Sequence, residues 1–204
     1  MSEKKPDNRQ HLSDKDLTWQ ELETEHIVQD RWIDFRKTSY RYPDGRIFEP
    51  FYTYSRKDYS IIVASDTNGN YICVRQFRQG IKEVTTEFPA GGLERRDGFE
   101  YGDPETEEEA LDAAKRELME ETGYESDEWE HLLTIPSNVT IADNYAYVFS
   151  AKNCRPVAGQ SLDETEIMDV VLHTQEEIEE MIHSGTFKQA THVMAWFLEK
   201  EKRR

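Results

Sequence analysis

Three carboxylates fall close together in the run Arg116-Glu117-Leu118-Met119-Glu120-Glu121-Thr122-Gly123-Tyr124. On a helix, Glu117 and Glu121 stand four apart on one face, and Glu120 lies three from Glu117. Carboxylates so placed repel one another unless a cation is present, and hard oxygen donors suit Mg²⁺ or Mn²⁺, ions that work with substrate phosphates. The bland alternative is an acidic helix solvated along its length, with Glu105, Glu107 and Glu109 as further solvent-facing residues. Against it, Ala110, Leu111, Ala113, Ala114 and Leu118 predict a helix packed on one side, and Gly123 is a stop.

With its upstream residues the run resembles the signature box of the Nudix hydrolases. Gly102, Glu108, Arg116, Glu117, Leu118, Glu120, Glu121 and Gly123 meet that spacing, and Tyr124 replaces the usual terminal aliphatic residue. The resemblance implies metal-dependent hydrolysis of a nucleoside diphosphate linked to another moiety. It makes Glu117 and Glu121 principal metal ligands, with Glu120 and Glu108 assisting or holding metal-bound water, and Arg116 orienting a glutamate. In relatives the box glycine directly follows a Pro-Ala-Gly segment, whereas here Pro89-Ala90-Gly91-Gly92 is separated from the helix by Glu94 to Glu107. We read this as an insertion, with Gly91 taking the structural role and Gly102 matching by coincidence. Thr106 is then the expected helix cap, with Glu109 as its reciprocal partner.

The elements that must position the box are legible in outline. A chain of 204 residues with 36% hydrophobic and 11% aromatic residues is expected to bury a real core. Its formal net charge of -17 disfavours nucleic acid as a partner. A phosphorylated substrate must therefore depend on local arginine and metal charge. No apolar run has membrane-spanning length, and the opening residues lack the apolar stretch of a secretory signal, so a cytoplasmic protein is expected. Cys73 and Cys154 are too few for a disulfide framework, and the histidines show no zinc-like spacing with them.

We expect residues 1–17 to be a flexible segment, 18–54 an antiparallel sheet and 55–204 the main domain. Trp19 to Gln29, Arg31 to Tyr42 and Ile47 to Tyr54 read as strands, the last two joined by the turn Pro43-Asp44-Gly45. Tyr59 to Ala64, Tyr71 to Arg75, Trp129 to Pro136, Asn144 to Ala151 and Ile167 to Leu172 read as further strands, with Asn153 to Glu166 a polar loop. Thr174 and Glu177 predict a capping box for a helix over Gln175 to His183, and Gln189 to Glu199 a terminal helix.

Trp32-Ile33-Asp34-Phe35 with its later Pro-Asp-Gly turn, and Val74-Arg75-Gln76-Phe77-Arg78 with Glu87-Phe88-Pro89-Ala90-Gly91, resemble the ADP-ribose pyrophosphatase branch of the family. That resemblance implies an α/β/α sandwich with an added amino-terminal antiparallel sheet exchanged across a homodimer. It makes Trp32 and Phe48 the platforms for the base, Glu49 an acceptor beside it, Arg78 the diphosphate-binding residue and the Ala90 carbonyl a metal ligand. The catalytic base in this branch often comes from the later acidic loop, where Glu166 is the nearest match and Glu164 the alternative. The implied reaction is Mg²⁺-dependent (or Mn²⁺-dependent) hydrolysis of ADP-ribose to AMP and ribose 5-phosphate. GDP-mannose or another nucleoside diphosphate sugar is the alternative substrate, and an ADP-ribose-binding sensor the non-enzymatic alternative. Neither a nucleic acid nor a membrane is an expected partner.

Overall fold

The computed structural model describes residues 11–94 and 108–202. They divide into two compact units: one runs up to Arg56 and includes Thr140–Ala142, and the other comprises Lys57–Val139 and the chain from Asp143 onward.

The first unit is a three-stranded antiparallel sheet in the order β1-β2-β3, with β1 at Gln20–Gln29, β2 at Asp34–Arg41 and β3 at Ile47–Ser55. The expected flexible lead-in carries a short helix, α1 (Asp14–Leu17), whose first turn is tied by donation from the Ser13 backbone and hydroxyl to the Asp16 carboxylate. The second strand begins at Asp34 rather than Arg31. The reason is a local turn: Asp30 Oδ1 accepts the N–H groups of Trp32 at 2.7 Å and Ile33 at 3.0 Å, so these residues leave the ladder.

The second unit is built on an eight-stranded mixed sheet. Its strands are β4 (Tyr59–Asp66), β5 (Tyr71–Arg78), β6 (Glu83–Glu87), β7 (Ala90–Gly92), β8 (Tyr124–Glu125), β9 (Glu128–Pro136), β10 (Tyr145–Pro156) and β11 (Met168–His173). The main path is β11-β5-β4-β10-β8; β6 pairs with β5, β7 with β4 and β9 with β10. Strand β4 runs parallel to β10, and the other pairings are antiparallel.

Strand alternation divides the interior into two cores, one on each face of this sheet. Ile61, Val63, Tyr71, Cys73 and Val148 pack with Ile178 of α3 (Gln175–Ser184) and with Ala195 and Trp196 of α4 (Ala190–Lys202). Ile62, Ala64, Ile72, Phe149 and Ala151 pack with Ala114 and Leu118 of α2 (Ala110–Thr122). This is the Nudix-type α/β/α arrangement, and it explains why β4 reads as an uninterrupted apolar run: both its faces are covered.

Helix α2 is the element that carries the box. Its N-cap is Glu109, so the cap assigned to Thr106 is displaced, and Thr106 and Gly102 lie outside the described residues. Its C-cap is Gly123, with φ 74°, where an added Cβ would lie 2.2 Å from the Ala158 carbonyl oxygen. Glycine is required there both by the left-handed backbone and by the close approach. The box at Thr174 and Glu177 is formed at the start of α3.

Candidate active site

Helix α2 turns Ala113, Ala114, Leu118 and Thr122 inward, and the same rotation carries Glu117 and Glu121 to a buried position facing β7. Glu121 is 2% exposed and accepts the Ala90 N–H at 3.0 Å. Glu117 lies against Gly91 so closely that a Cβ there would meet its carboxyl carbon at 1.9 Å. Gly91 therefore supplies the gap into which Glu117 fits, the structural role assigned to it above.

Arg116 gathers the remaining box carboxylates. Its Nε and Nη2 donate to the two oxygens of Glu108 at 3.2 and 2.9 Å, and its Nη1 donates to Glu117 at 2.8 Å and Glu120 at 3.0 Å. Nη2 also donates to the Gly92 carbonyl at 3.0 Å, fastening the helix to the β7 segment. Burial opposes the arginine's charge, but Glu108, Glu117 and Glu120 more than offset it and raise its pKa. Glu108 is also tied to Glu94: its N–H donates to the Glu94 carbonyl at 2.8 Å, and the Glu94 N–H donates to its carboxylate at 3.1 Å.

Electrostatics separate the two innermost glutamates from the rest. Burial pushes Glu117 up to about 7, against the pull of Arg116 and with the help of Glu120 and Glu166. Burial and the adjacent Glu117 push Glu121 well above the usual carboxylate range, against the Ala90 hydrogen bond. Among the described residues, no three His, Cys, Asp or Glu side chains converge into a ready metal cage. The donor chemistry nonetheless fits a hard divalent cation: two buried carboxylates beside β7, whose charged forms burial and mutual repulsion disfavour, would be stabilised in those forms by a bound cation.

The polar loop after β10 is tied to the end of this helix rather than merely solvated. The Ser161 N–H donates to the Glu120 carbonyl at 2.8 Å, and Gln160 Nε2 donates to the Glu121 carbonyl at 2.8 Å, two of the acceptors that a helix end leaves open. The loop begins later than expected, because β10 continues to Pro156. Glu166 is half-buried, and its charge acts on Glu117, Glu121 and Arg78. Glu164 is exposed and acts on none of these three groups as a leading influence.

Arg78, at the end of β5, holds Glu87 through Nε at 2.9 and 3.1 Å and through Nη2 at 2.5 Å. Glu87 falls inside the Glu87-Phe88-Pro89-Ala90-Gly91 match without a role assigned to it, and the sequence offers no signal for His192 of α4, whose Nδ1 accepts the Phe88 N–H at 3.1 Å and so anchors the segment leading to Ala90. Gln160 and Ser161 were likewise missed. His192, Gln160 and Ser161 act on partners far away in the chain, and Glu87 reaches Arg78 across the β5–β6 pairing.

On the three-stranded sheet, Trp32 is 59% exposed, and the Arg31 guanidinium lies 4.4 Å from its ring centroid. Phe48 stacks on Tyr42, with centroids 6.1 Å apart, and Glu49 follows it on β3. Phe48 pairs with Tyr40 near one end of β2, whereas Trp32 precedes Asp34 at the other. Six residues of strand span about 20 Å. Within one copy, Trp32 and Phe48 therefore cannot enclose the same base.

Comparison with known proteins agrees with this architecture. The NUDIX domain model matches residues 55–197. A methanol dehydrogenase activator from Bacillus methanolicus is 29% identical over 158 residues, covering 76% of this chain and 78% of that protein. An ADP-ribose pyrophosphatase from Bacillus subtilis (strain 168) is 26% identical over 171 residues, covering 83% and 86%. An ADP-sugar pyrophosphatase from Mus musculus is 34% identical over 113 residues, covering 50% and 47%. The crystal structure of an ADP compounds hydrolase superposes with a TM-score of 0.74 at 20% identity, covering 91% of this chain and 94% of the other, a likeness of fold. With the family model spanning well over half its length, the chain belongs to the Nudix family of hydrolases.

Proposed function

We propose that this protein is a Mg²⁺-dependent pyrophosphohydrolase of nucleoside diphosphate sugars, with ADP-ribose as substrate and AMP and ribose 5-phosphate as products. The observation that carries the reading is the buried pair Glu117 and Glu121 held against Ala90 and Gly91 of β7, carboxylates whose charged forms a divalent cation would stabilise. Glu117, Glu121 and the Ala90 carbonyl would hold the cation, with Glu108 and Glu120 assisting. When bound, Mg²⁺ neutralises diphosphate charge and lowers the pKa of a water for attack on phosphorus, and Mn²⁺ can substitute.

The chain's own residues do the rest. Arg116 holds Glu108, Glu117 and Glu120 in fixed orientations. Glu166 accepts the proton of the attacking water; its electrostatic influence on Glu117 and Glu121 supports it over Glu164. Arg78 receives the diphosphate, as suits a guanidinium fork. Trp32 and Phe48 stack on the base and Glu49 accepts a hydrogen bond from it. The names of the Bacillus subtilis and mouse relatives support an ADP-linked substrate.

The domain organisation proposed with this function is a lead-in over 1–17, a dimer-forming sheet over 18–54 and a hydrolase domain over 55–204. The compact unit ending at Arg56 and the family match beginning at residue 55 support it. The separation of Trp32 from Phe48 along β2 supports a homodimer in which one base lies between Trp32 of one copy and Phe48 of another. No helix among the described residues is long and apolar enough to cross a membrane.

A product-resolved screen tests the reading. ADP-ribose, GDP-mannose, UDP-sugars, dinucleoside polyphosphates and NADH are each incubated with Mg²⁺ and the products separated. The expected result is fastest release of AMP and ribose 5-phosphate from ADP-ribose. Preferred cleavage of GDP-mannose would move the assignment to the alternative substrate, and tight ADP-ribose binding without cleavage would favour the sensor.

A further inference from the structure

Glu87 is a fully buried carboxylate at the end of β6. Both of its oxygens are engaged by Arg78, and Oε1 also accepts the hydroxyl of buried Thr85, two residues earlier on the same face of the strand. Burial alone would raise the carboxyl's pKa, but Arg78 and Thr85 more than offset this and hold it below the ordinary value.

The register shows that the pairing is not simply that of nearest charges. Arg78 stands directly opposite Glu83 in the β5–β6 ladder, and Glu87 lies opposite Val74, four residues further along. That is about 13 Å of strand. The Arg78 side chain therefore runs back along the sheet to Glu87 rather than to Glu83, the residue directly opposite it. Glu83 is exposed and is taken by Lys188.

This geometry determines which part of the guanidinium is presented. Of its five N–H donors, Glu87 engages the Nε–H and Nη2, and the Nη1 end makes no hydrogen bond among the described residues. About a third of the side chain is exposed, and the charges of Glu121 and Glu166 act on it, so Arg78 lies within electrostatic reach of the carboxylate centre. A free arginine would lose rotamer freedom on taking a ligand, whereas one fixed along its Nε edge is already oriented.

We propose that Glu87 is a positioning residue which, with Thr85 behind it, clamps Arg78 along one edge and presents the Nη1 end to the diphosphate. The inference rests on the reading of Arg78 as the diphosphate-binding residue. Glu87 touches neither substrate nor metal, and it acts only through the arginine. The Glu87–Arg78 pair is thus the counterpart, on the strands, of the Arg116 network on the helix.

The test is a double-mutant cycle in kcat/KM for ADP-ribose hydrolysis at saturating Mg²⁺, using wild type, Glu87→Gln, Arg78→Gln and the protein carrying both changes. Glu87→Gln is expected to lower kcat/KM about 10- to 100-fold, the range for residues that orient a functional group, and Arg78→Gln at least as much. The double variant should be no slower than Arg78→Gln alone, because an arginine that is gone cannot be mispositioned. Removing both charges also avoids stranding one, so the double variant should melt closer to wild type than Glu87→Gln does. Glu87→Asp, which keeps the charge and withdraws the carboxylate by one methylene, should fall between wild type and Glu87→Gln. Losses that multiply in the double variant, or a Glu87→Gln protein with wild-type kcat/KM, would overturn the clamp. If Arg78→Gln is impaired and Glu87→Gln is not, the clamp alone fails. If wild type cleaves no nucleoside diphosphate sugar, or Arg78→Gln is unimpaired, the reading of Arg78 fails and the clamp with it.

Discussion

Strand β4 of the eight-stranded sheet buries every residue after Tyr59, whereas β1 of the three-stranded sheet has only Thr24 even partly buried, and its Leu22, Ile27 and Val28 are exposed. The difference reflects what each strand has to pack against. β4 lies between two cores filled from α2 on one face and from α3 and α4 on the other. The three-stranded sheet has edge-on and stacked aromatic contacts, such as Trp19 with Tyr42 at 4.4 Å and Phe35 with Tyr52 at 5.6 Å, but leaves large apolar surfaces uncovered. An interior sheet can bring functional groups into close packing, as it does for Glu117 against Gly91. A sheet with exposed aromatics is suited to contribute stacking surface, to a ligand or to a second copy.

If the two regions divide the work in this way, chemistry should depend on the interior unit and affinity on the sheet. The largest effect should come from the cation: EDTA should abolish turnover and excess Mg²⁺ restore it, as measured by AMP release. Undiminished turnover in EDTA would remove the basis for the carboxylate assignment.

The interior unit should also carry a distinctive acid sensitivity. Burial lowers the pKa of His192 from 6.5 to about 4, so the folded state holds this ring neutral while the unfolded chain protonates it first. Its contribution to stability is present above pH 6.5 and is lost as pH falls toward 4. The difference amounts to about 3 kcal/mol when fully expressed. Urea unfolding of wild type and His192→Gln across this window should show the steeper pH dependence in wild type. Parallel slopes would show that the ring is not held neutral.

A third effect is local. Gly91→Ala places a methyl group where the Glu117 carboxylate lies, but that carboxylate is the end of a flexible side chain and can move aside. Thermal melting should therefore change little, while kcat falls about 10- to 100-fold, as for loss of an orienting partner. Wild-type kcat would mean that the close packing of Glu117 on β7 has no functional weight.

On the sheet, Trp32→Ala should weaken ADP-ribose binding by about 1 to 3 kcal/mol, the range for an aromatic base platform, and leave turnover at saturation appreciable. Calorimetry in a Glu117→Gln background isolates this effect from chemistry. Unchanged affinity would return Trp32 to a packing role. Equilibrium sedimentation sharpens the same comparison: a species of twice the chain mass is expected at micromolar concentration, and a persistent monomer would leave the uncovered apolar face of the sheet unexplained.

How much of this was legible in the sequence follows the range of the interactions. Glutamates three and four apart, Gly123 at a helix end, and Thr174 with Glu177 at a helix start are local patterns, and the structure forms each helix they announce. The apolar runs of β4 and β5 likewise lie at the centre of the fold. Two local features were misread: Asp30 bends the chain before β2 through its side chain, and Glu109 rather than Thr106 stands at the N-cap position of α2. The supports of the site were hidden because they act across the chain. His192 reaches Phe88, Gln160 reaches Glu121, and Glu87 meets Arg78 only once β5 and β6 have paired. A buried glutamate in a strand looks in sequence like any polar residue on an exposed edge.

The central claim is that Glu121, buried against the Ala90 N–H, is part of a cation-dependent hydrolytic centre. Glu121→Gln keeps the size of the side chain and removes its charge, so steady-state hydrolysis of ADP-ribose at saturating Mg²⁺, with circular dichroism to establish folding, tests the claim most directly. The account predicts a folded protein whose kcat is lower by on the order of 10² to 10³, as for loss of a group that stabilises charge in the transition state. A folded Glu121→Gln protein turning over at the wild-type rate would contradict it.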